Sequence, residues 1–233
     1  MAPGTRRIIH DVRMKKVCAL LLLVAVDAAA GMSYSLKSST GTGGRVVADG
    51  TNVRLEMENG SVMLTNDGGK TLTFLDATKK TYTTMSAADL VGMDIKVANP
   101  KTTTRELGDG GTLEGYPTRR WVVETSFDAT IDTFTVHLSM QSESWRTEQL
   151  PEAAASIFAS QSTRTGVAEI DKILESMASS TVKGFPLKEV TTMRTKSAGG
   201  KETSATSTIE AHDIKRVNTT KATFAIPAGY KRQ

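Results

Sequence analysis

The stretch that decides the fold is Val53-Arg54-Leu55-Glu56-Met57-Glu58-Asn59-Gly60-Ser61-Val62-Met63-Leu64-Thr65. Its first half alternates apolar Val53, Leu55 and Met57 with charged residues, and a period of two is typical of a strand with one buried face. Asn59-Gly60 then interrupts the alternation, and this dipeptide is a strong hairpin signal because both residues tolerate positive φ. The stretch therefore predicts two antiparallel strands joined by a tight turn.

Similar alternation extends outward from this hairpin in both directions. Strands are predicted over 34–37, 45–49, 53–58, 61–65, around 72–74, and over 81–85, 95–107, 121–125, 134–140, 190–195, 204–214 and 224–230. Pro100 is expected to break the strand over 95–107, and Gly108-Asp109-Gly110-Gly111 is interpreted as a loop. The pattern amounts to about nine or ten strands at the regular spacing of an all-β meander.

Three segments change from the strand period to a helical one. A short helix is predicted over 86–93 with Ser86 as its N-cap, and two more over 151–158 and 166–177. A sheet with this many strands must curl or split. We therefore expect a mainly β (α+β) fold, in which a long curved antiparallel sheet forms an unclosed half-barrel covered by two or three helices.

The amino terminus carries a targeting pattern. Five Lys or Arg residues precede an apolar run over 17–26, and Ala28-Ala29-Ala30 follows as an A-x-A cleavage site. The run is too short to span the roughly 30 Å hydrocarbon core as a helix. We expect a signal peptide over 1–30 cut near Ala30, a single domain over 31–233 without a transmembrane span, and a periplasmic or secreted protein. An uncleaved amphipathic anchor is the alternative, and Met14 is a second candidate start.

Charge and cysteine content narrow the function further. The chain has a formal net charge of +4, but residues 1–30 hold five basic and two acidic side chains, which leaves the remainder close to neutral. A nearly neutral domain lacks the basic excess that neutralises phosphates, so we expect no nucleic-acid partner. The only cysteine, Cys18, lies in the apolar run, so the domain itself has no thiol for a disulfide or a metal site.

The residues that carry most enzyme chemistry are sparse. His137 and His212 are the histidines of the domain, and His137 is expected to point to solvent with no Asp or second His at ligand spacing. Asp128 and Asp132 are interpreted as a solvated edge, and no G-x-S-x-G, H-E-x-x-H or P-loop motif occurs. We expect no enzymatic activity, no cofactor and no metal, with a hydrolase that uses His137 as the remaining alternative.

Five segments carry a family resemblance: 49–56 (DGTNVRLE), 64–82 (LTNDGGKTLTFLDATKKTY), 113–125 (LEGYPTRRWVVET), 184–192 (GFPLKEVTT) and 224–230 (FAIPAGY). Together they resemble the bacterial exported proteins grouped as domain of unknown function 4412. That group is similar in architecture to the LolA/LolB/LppX lipoprotein-carrier fold, an unclosed β-barrel with a helical plug. The resemblance implies the fold more directly than an activity, because one fold serves many functions. The relatives of known function carry or sense acyl chains.

The curved sheet and the resemblance lead to one functional hypothesis and one alternative. We expect a lipid or other hydrophobic ligand to bind the half-barrel, and Met residues suit such an adaptable pocket because they are unbranched and polarizable. The alternative is an envelope interaction module that uses strand edges to contact a protein partner, with a plainly packed core and no cavity. Trp145 and several Met residues are further candidates, and the principal lining candidates are Leu55, Met57, Leu72, Phe74, Met85, Leu90, Trp121, Val123, Phe134, Val136, Leu138, Met140, Ile170 and Leu174.

Overall fold

The computed structural model describes residues 30–41, 43–86, 95–131, 134–151 and 182–233. These residues form strands and one short 3-10 helix, Lys221–Phe224, and none of them lies in an α-helix. The strands are β1 (Ala30–Ser38), β2 (Gly44–Asp49), β3 (Asn52–Met57), β4 (Val62–Thr65), β5 (Thr71–Asp76), β6 (Thr81–Ser86), β7 (Ile95–Leu113), β8 (Tyr116–Ile131), β9 (Phe134–Thr147), β10 (Phe185–Ser197), β11 (Glu202–Asn218) and β12 (Lys231–Arg232).

All of these strands belong to one twelve-stranded sheet in the order β12-β6-β5-β4-β3-β2-β1-β11-β10-β9-β8-β7. Strands β1 to β6 form one antiparallel meander and β7 to β11 form a second, and β1 pairs with β11 to join the two. Strand β12 adds to β6 in the parallel direction. The sheet is unclosed, with β7 and β12 at its edges, so the prediction of a long antiparallel sheet is confirmed.

The length of the chain between β6 and β7 requires this sheet to curl. Ser86 ends β6 and Ile95 begins β7, so the two are nine peptide units apart, which reach at most about 32 Å. In a flat sheet β6 and β7 would be ten strand spacings apart, or about 48 Å. Because the covalent chain is shorter than the flat sheet is wide, the two ends of the sheet must bend towards each other.

The predicted hairpins are confirmed where their turn residues are local in sequence. Strands β3 and β4 are antiparallel neighbours, and Gly60 has a φ of 81° in the turn between them. The Met57 N–H donates to the Ser61 carbonyl at 2.9 Å and closes this turn. The hairpin across Ala198-Gly199-Gly200 likewise joins β10 to β11.

Two predictions around β7 are wrong. The segment Gly108–Gly111 is not a loop but part of β7, where register shifts accommodate the extra residues and Gly108 and Gly111 take φ values of 94° and 73°. Pro100 does not end the strand either, since β7 continues through a register shift between Ala98 and Lys101. An edge strand tolerates both features, because one of its sides needs no hydrogen-bonding partner.

A third prediction, the terminal strand over 224–230, is also wrong. Phe224 ends the 3-10 helix, residues 228–229 form a turn, and the strand begins only at Lys231. Pro227 has no N–H to donate to a ladder. The predicted helices over 86–93, 151–158 and 166–177 lie outside the described residues except for Ser86, which ends β6, and Pro151.

The main hydrophobic core lies on one side of the sheet, which we name the core face. Its centre is a buried aromatic pair, in which the rings of Tyr34 and Phe185 meet edge to face with centroids 5.3 Å apart. Burial raises the pKa of the Tyr34 hydroxyl. The buried cluster consists of Met32, Tyr34, Leu36, Val46, Ala48, Val53, Leu55, Met63, Leu72, Phe185, Leu187 and Ala211.

The carboxyl-terminal segment that follows β11 forms hydrogen bonds with the first meander. The Thr219 hydroxyl donates to an Asp49 carboxylate oxygen at 2.5 Å, and the Asn66 amide donates to the Phe224 carbonyl at 3.3 Å. The Lys231 N–H then donates to the Lys80 carbonyl at 3.0 Å. These bonds tie the segment to the ends of β2 and β4 and to the β5–β6 turn, so the chain terminus covers part of the sheet and extends its edge.

Ion pairs line the face opposite the core. The Lys188 ammonium on β10 lies 2.9 Å from a Glu210 carboxylate oxygen on β11. The hydrogen bond from Lys188 is the main reason why the pKa of Glu210 lies below its ordinary value. His212 Nε2 lies 3.5 Å from the second Glu210 oxygen. These charges sit at the junction between the two meanders.

Replacing Phe185 with Ala should lower the free energy of unfolding by about 3–5 kcal/mol, because the ring is 0 % exposed and leaves a cavity beside Tyr34. Phe134→Ala is the matched control: that ring is 55 % exposed, and its loss should change stability by about 0.5 kcal/mol or less. Urea unfolding followed by fluorescence measures both. Equal losses for the two variants would contradict the core assignment.

Replacing Glu210 with Gln tests the ion pair through its pH dependence. Since the pKa of Glu210 is lowered by folding, the charged carboxylate stabilises the fold above its unfolded pKa, and this contribution disappears as the pH falls through the folded pKa. The side chain is 34 % exposed, so the variant should lose about 1 kcal/mol or less at pH 7, and this loss should shrink steadily as the pH is lowered below the ordinary pKa of glutamate. Glu202→Gln, at an exposed position of the same strand, should show no such pH-dependent difference in urea midpoints.

Candidate functional site

The core face extends over both meanders. Directly opposed residues on neighbouring antiparallel strands point to the same face. In the first meander, Leu55 is opposite Met63 and Met63 is opposite Phe74. In the second, Ile209 packs against the core cluster and begins a row that runs through Glu189 and Ser144 to Trp121. One continuous surface therefore carries the side chains that the sequence singles out as apolar candidates.

Every lining candidate within the described residues lies on this face. Leu90, Ile170 and Leu174 lie outside the described residues. The strand register assigns to the core face Leu55, Met57, Leu72, Phe74, Met85, Trp121, Val123, Phe134, Val136, Leu138 and Met140.

Trp145 lies on the opposite face. It is opposite both Arg120 and Lys188 in the strand register, and the cationic groups of these residues lie 5.4 and 5.5 Å from the ring centroid. A cation above each side of an indole is a stabilising contact. Trp145 thus belongs to the ion-pair surface and does not line the core face.

The core face has a packed zone and an open zone. In the first meander, Leu55 is 1 % exposed and is filled in by its neighbours, as expected for an ordinary core. The second meander is also buried along β8, where Phe127 is 7 % exposed, and its open zone is confined to the margin, where Phe134 and Met193 are 55 % and 45 % exposed. Hydroxyls and one carboxylate add polar groups to this half of the core face, since the buried Ser142 hydroxyl donates to Glu189 at 2.7 Å. The packed zone therefore leaves little space for a ligand, and the core face of the second meander is of mixed polarity.

A pocket of about 400 Å³ opens at one end of the core face, and we name it the end pocket. Its apolar side chains are Met32, Tyr116, Leu150 and Ile214, of which Met32 belongs to the buried core and the others pack against it. The remaining lining residues are Gly31, Gln149, Pro151, Lys215 and Arg216. A pocket of this volume with an apolar floor is of the size that binds small ligands.

Unequal strand lengths explain the end pocket. Strand β10 pairs with β11 only between Lys188 and Lys196, although β11 continues to Asn218 beside β1. Strand β8 begins at Tyr116, but its pairing with β9 begins only at Arg119, opposite Arg146. The start of β8 therefore extends past the end of β9. The ladder is therefore interrupted between the start of β8 and the end of β11, and the pocket occupies this gap.

The tip of the β7–β8 hairpin is held against β11 beside the pocket. Glu114 and Gly115 have φ values of 51° and 81°, the conformation of a tight two-residue turn. The Glu114 carboxylate accepts hydrogen bonds from His212 Nδ1 at 2.9 Å and from the Asp213 N–H at 3.2 Å. This contact brings Tyr116 next to Ile214 in the pocket lining, although their strands are not neighbours in the sheet.

The expectation that His137 lacks an acidic partner is wrong. Asp128 is opposite His137 in the β8–β9 register, and His137 Nδ1 lies 2.8 Å from an Asp128 oxygen. The Asn99 amide donates to the other oxygen at 2.8 Å, and hydrogen bonds from Asn99 and then His137 lower the pKa of Asp128. Residues at equal distances from a hairpin turn face each other. That symmetry is the sequence signal that pairs positions 128 and 137.

A second depression, of about 330 Å³, lies on the opposite face of β7 to β10. The register places Lys101, Ser126, Ser139 and Arg194 in one row across it. Its other lining residues are also mainly polar, namely Thr103, Glu124, Thr125, Met140, Gln141 and Thr192, of which Thr125 and Met140 direct their side chains to the core face in the register. This surface offers hydroxyls and charges but little apolar area, so the end pocket is the better candidate site for an apolar ligand.

Comparison with known proteins agrees with the sequence resemblance. A family model described as "Domain of unknown function (DUF4412)" matches residues 22–230. A search of curated proteins finds no match. Nowhere in the described part of the chain is there a helix of the length and hydropathy needed to cross a bilayer. Since the match covers nearly the whole chain, the protein belongs to the family of the domain of unknown function DUF4412.

Proposed function

We propose that this protein is an exported, non-catalytic protein that binds the hydrocarbon chain of a lipid or a similar apolar ligand in the end pocket of a half-barrel. The observation that carries the proposal is the continuity between the pocket and the core. Met32 is 4 % exposed and belongs to the core cluster, yet it also lines the pocket. A chain entering between Leu150 and Ile214 would reach the core without crossing a polar layer.

The binding energy in such a pocket comes from removing apolar surface from water. Each buried methylene group contributes about 0.8 kcal/mol, which corresponds to roughly a fourfold change in the dissociation constant. Apolar burial is non-directional, so the pocket would select ligands by chain length and width more than by detailed shape. This behaviour suits a carrier or a sensor of acyl chains, as the likeness to lipoprotein carriers implies.

The strand edges support this proposal over the interaction-module alternative. The exposed edge strand β7 contains Lys96, Pro100 and Lys101 together with three register shifts. Lysines, proline and bulges are the features that keep an edge strand from pairing with another chain. The other edge, β12, has only two residues, both cationic. The long edge β7 is therefore not built to receive a partner strand, and β12 covers Thr81 and Tyr82 of β6.

The arrangement around His137 supports a non-catalytic role. Among the described hydrogen bonds, the His137 ring bonds to Asp128, and that carboxylate is also held by Asn99. A hydrolytic nucleophile would need a hydroxyl within hydrogen-bond distance of the imidazole. In the described hydrogen bonds none is directed at this ring, and the group lies on the face opposite the end pocket.

A neutral ligand series tests the proposal. Linear alkanols of increasing length should displace a fluorescent fatty acid with about a fourfold gain in affinity per methylene, up to the length at which the pocket is filled. Ile214→Gln and Leu150→Gln should each weaken every alkanol, whereas Phe134→Gln, on the open zone of the core face, should leave the series unchanged.

Native mass spectrometry of the protein purified from cells provides an independent measurement. A co-purified acyl compound that is lost from Ile214→Gln but retained by Phe134→Gln would support the end pocket as its binding site. A clean ligand-free spectrum together with no displacement by any alkanol would contradict the proposed function.

A further inference from the structure

Two cationic residues at the mouth of the end pocket have no acidic partner within the described residues. Lys215 and Arg216 are both exposed and both line the pocket. Neither takes part in an ion pair or a side-chain hydrogen bond of the described residues. Other cationic residues of the sheet do have acidic partners, since Arg120 is paired with Glu143 and Lys188 with Glu210.

The remaining pocket lining does not neutralise these two charges. The lining contains no Asp or Glu, and its other polar groups, the Gln149 amide and the Tyr116 hydroxyl, carry no negative charge at neutral pH. Arg216 is opposite Met32 in the β1–β11 register, so its side chain starts from the same face as the apolar floor, whereas Lys215 is opposite Ser33 and starts from the other face. The pocket therefore combines a net positive mouth with a hydrocarbon interior, within the space of about 400 Å³.

From this arrangement we infer that the ligand is an anionic amphiphile. Its single hydrocarbon chain lies against Met32 and Ile214, its carboxylate or phosphate head group is bound at the mouth by Arg216, and Lys215 adds positive charge from the other side of the strand. The inference rests on the proposed function, because it assigns the head group of the ligand whose chain occupies the same pocket. A guanidinium suits this role because it offers several N–H donors in a planar array that matches both kinds of anion.

Three probes with one chain length separate the head group from the chain: hexadecanol, hexadecanoate and hexadecyl phosphate. The wild-type protein should bind each anion at least about tenfold more tightly than the alcohol, as expected for hydrogen bonds to a charged group. The preference should decrease as salt is added, because the site is exposed to solvent. Tighter binding of the phosphate than of the carboxylate would point to phospholipids, and the reverse to free fatty acids.

The double variant Lys215→Glu/Arg216→Glu should lose at least about tenfold in affinity for both anions while its affinity for hexadecanol stays within about twofold of wild type. Lys231→Glu/Arg232→Glu is the matched control, since it makes the same charge change at an exposed Lys-Arg pair of β12. That control should retain the wild-type preference for the anions. Thermal melting of both variants establishes that they are folded.

Each failure has a distinct signature. Equal binding of the alcohol and both anions by the wild-type protein, with no effect of the Lys215/Arg216 variant, would overturn the head-group inference and leave the apolar pocket intact. An equal loss of anion binding in both double variants would also overturn it, since a general charge effect would then explain the preference. If none of the three probes binds the wild-type protein, the proposed function itself is wrong.

Discussion

The antiparallel pairing of β1 with β11 is the constraint on which the rest of the structure depends. It runs from Ala30 opposite Asn218 to Ser38 opposite Ile209 and joins two meanders that would otherwise be separate sheets. Its core-face side chains complete the apolar cluster, because Tyr34 of β1 meets Phe185 of β10 across β11. Each meander alone would leave part of this cluster exposed to water. The two halves therefore stabilise each other by sharing one core.

This constraint also forms the site. A register shift between Ser33 and Ser35 bulges β11, where Asp213 has a φ of 54°. The bulge presents the Asp213 N–H to Glu114 at the tip of the β7–β8 hairpin. A long-range strand pair thus fixes a distant hairpin, and the hairpin supplies one wall of the end pocket. Residues outside the end pocket in this way determine the shape of the proposed binding site.

The sequence predicts the strands and the hairpins between neighbouring strands, but it does not predict which distant strands pair with each other. Alternation at Val53, Leu55 and Met57 correctly identifies a strand, and it also brings the described lining candidates to one face, because side-chain direction has the same period of two on every strand. The sequence of neither strand indicates that β1 pairs with β11, because this pairing closes a long loop and depends on contacts between distant parts of the chain. The glycines over 108–111 resemble a loop because bulges and turns both require positive φ.

The end pocket also forms between segments that are distant in sequence, which explains why no sequence motif predicts it. Its walls are the end of β11 that has no β10 partner, the start of β1 beside it, the first residue of β8 and the chain after β9, four segments that are separated in sequence. A gap in a sheet normally leaves N–H and C=O groups without partners, which is unfavourable when they are buried. Here the Glu114 carboxylate satisfies one such N–H, and the remaining opening faces solvent beside Lys215 and Arg216. Strand length, more than any single residue, is therefore what makes a cavity in an otherwise filled sheet.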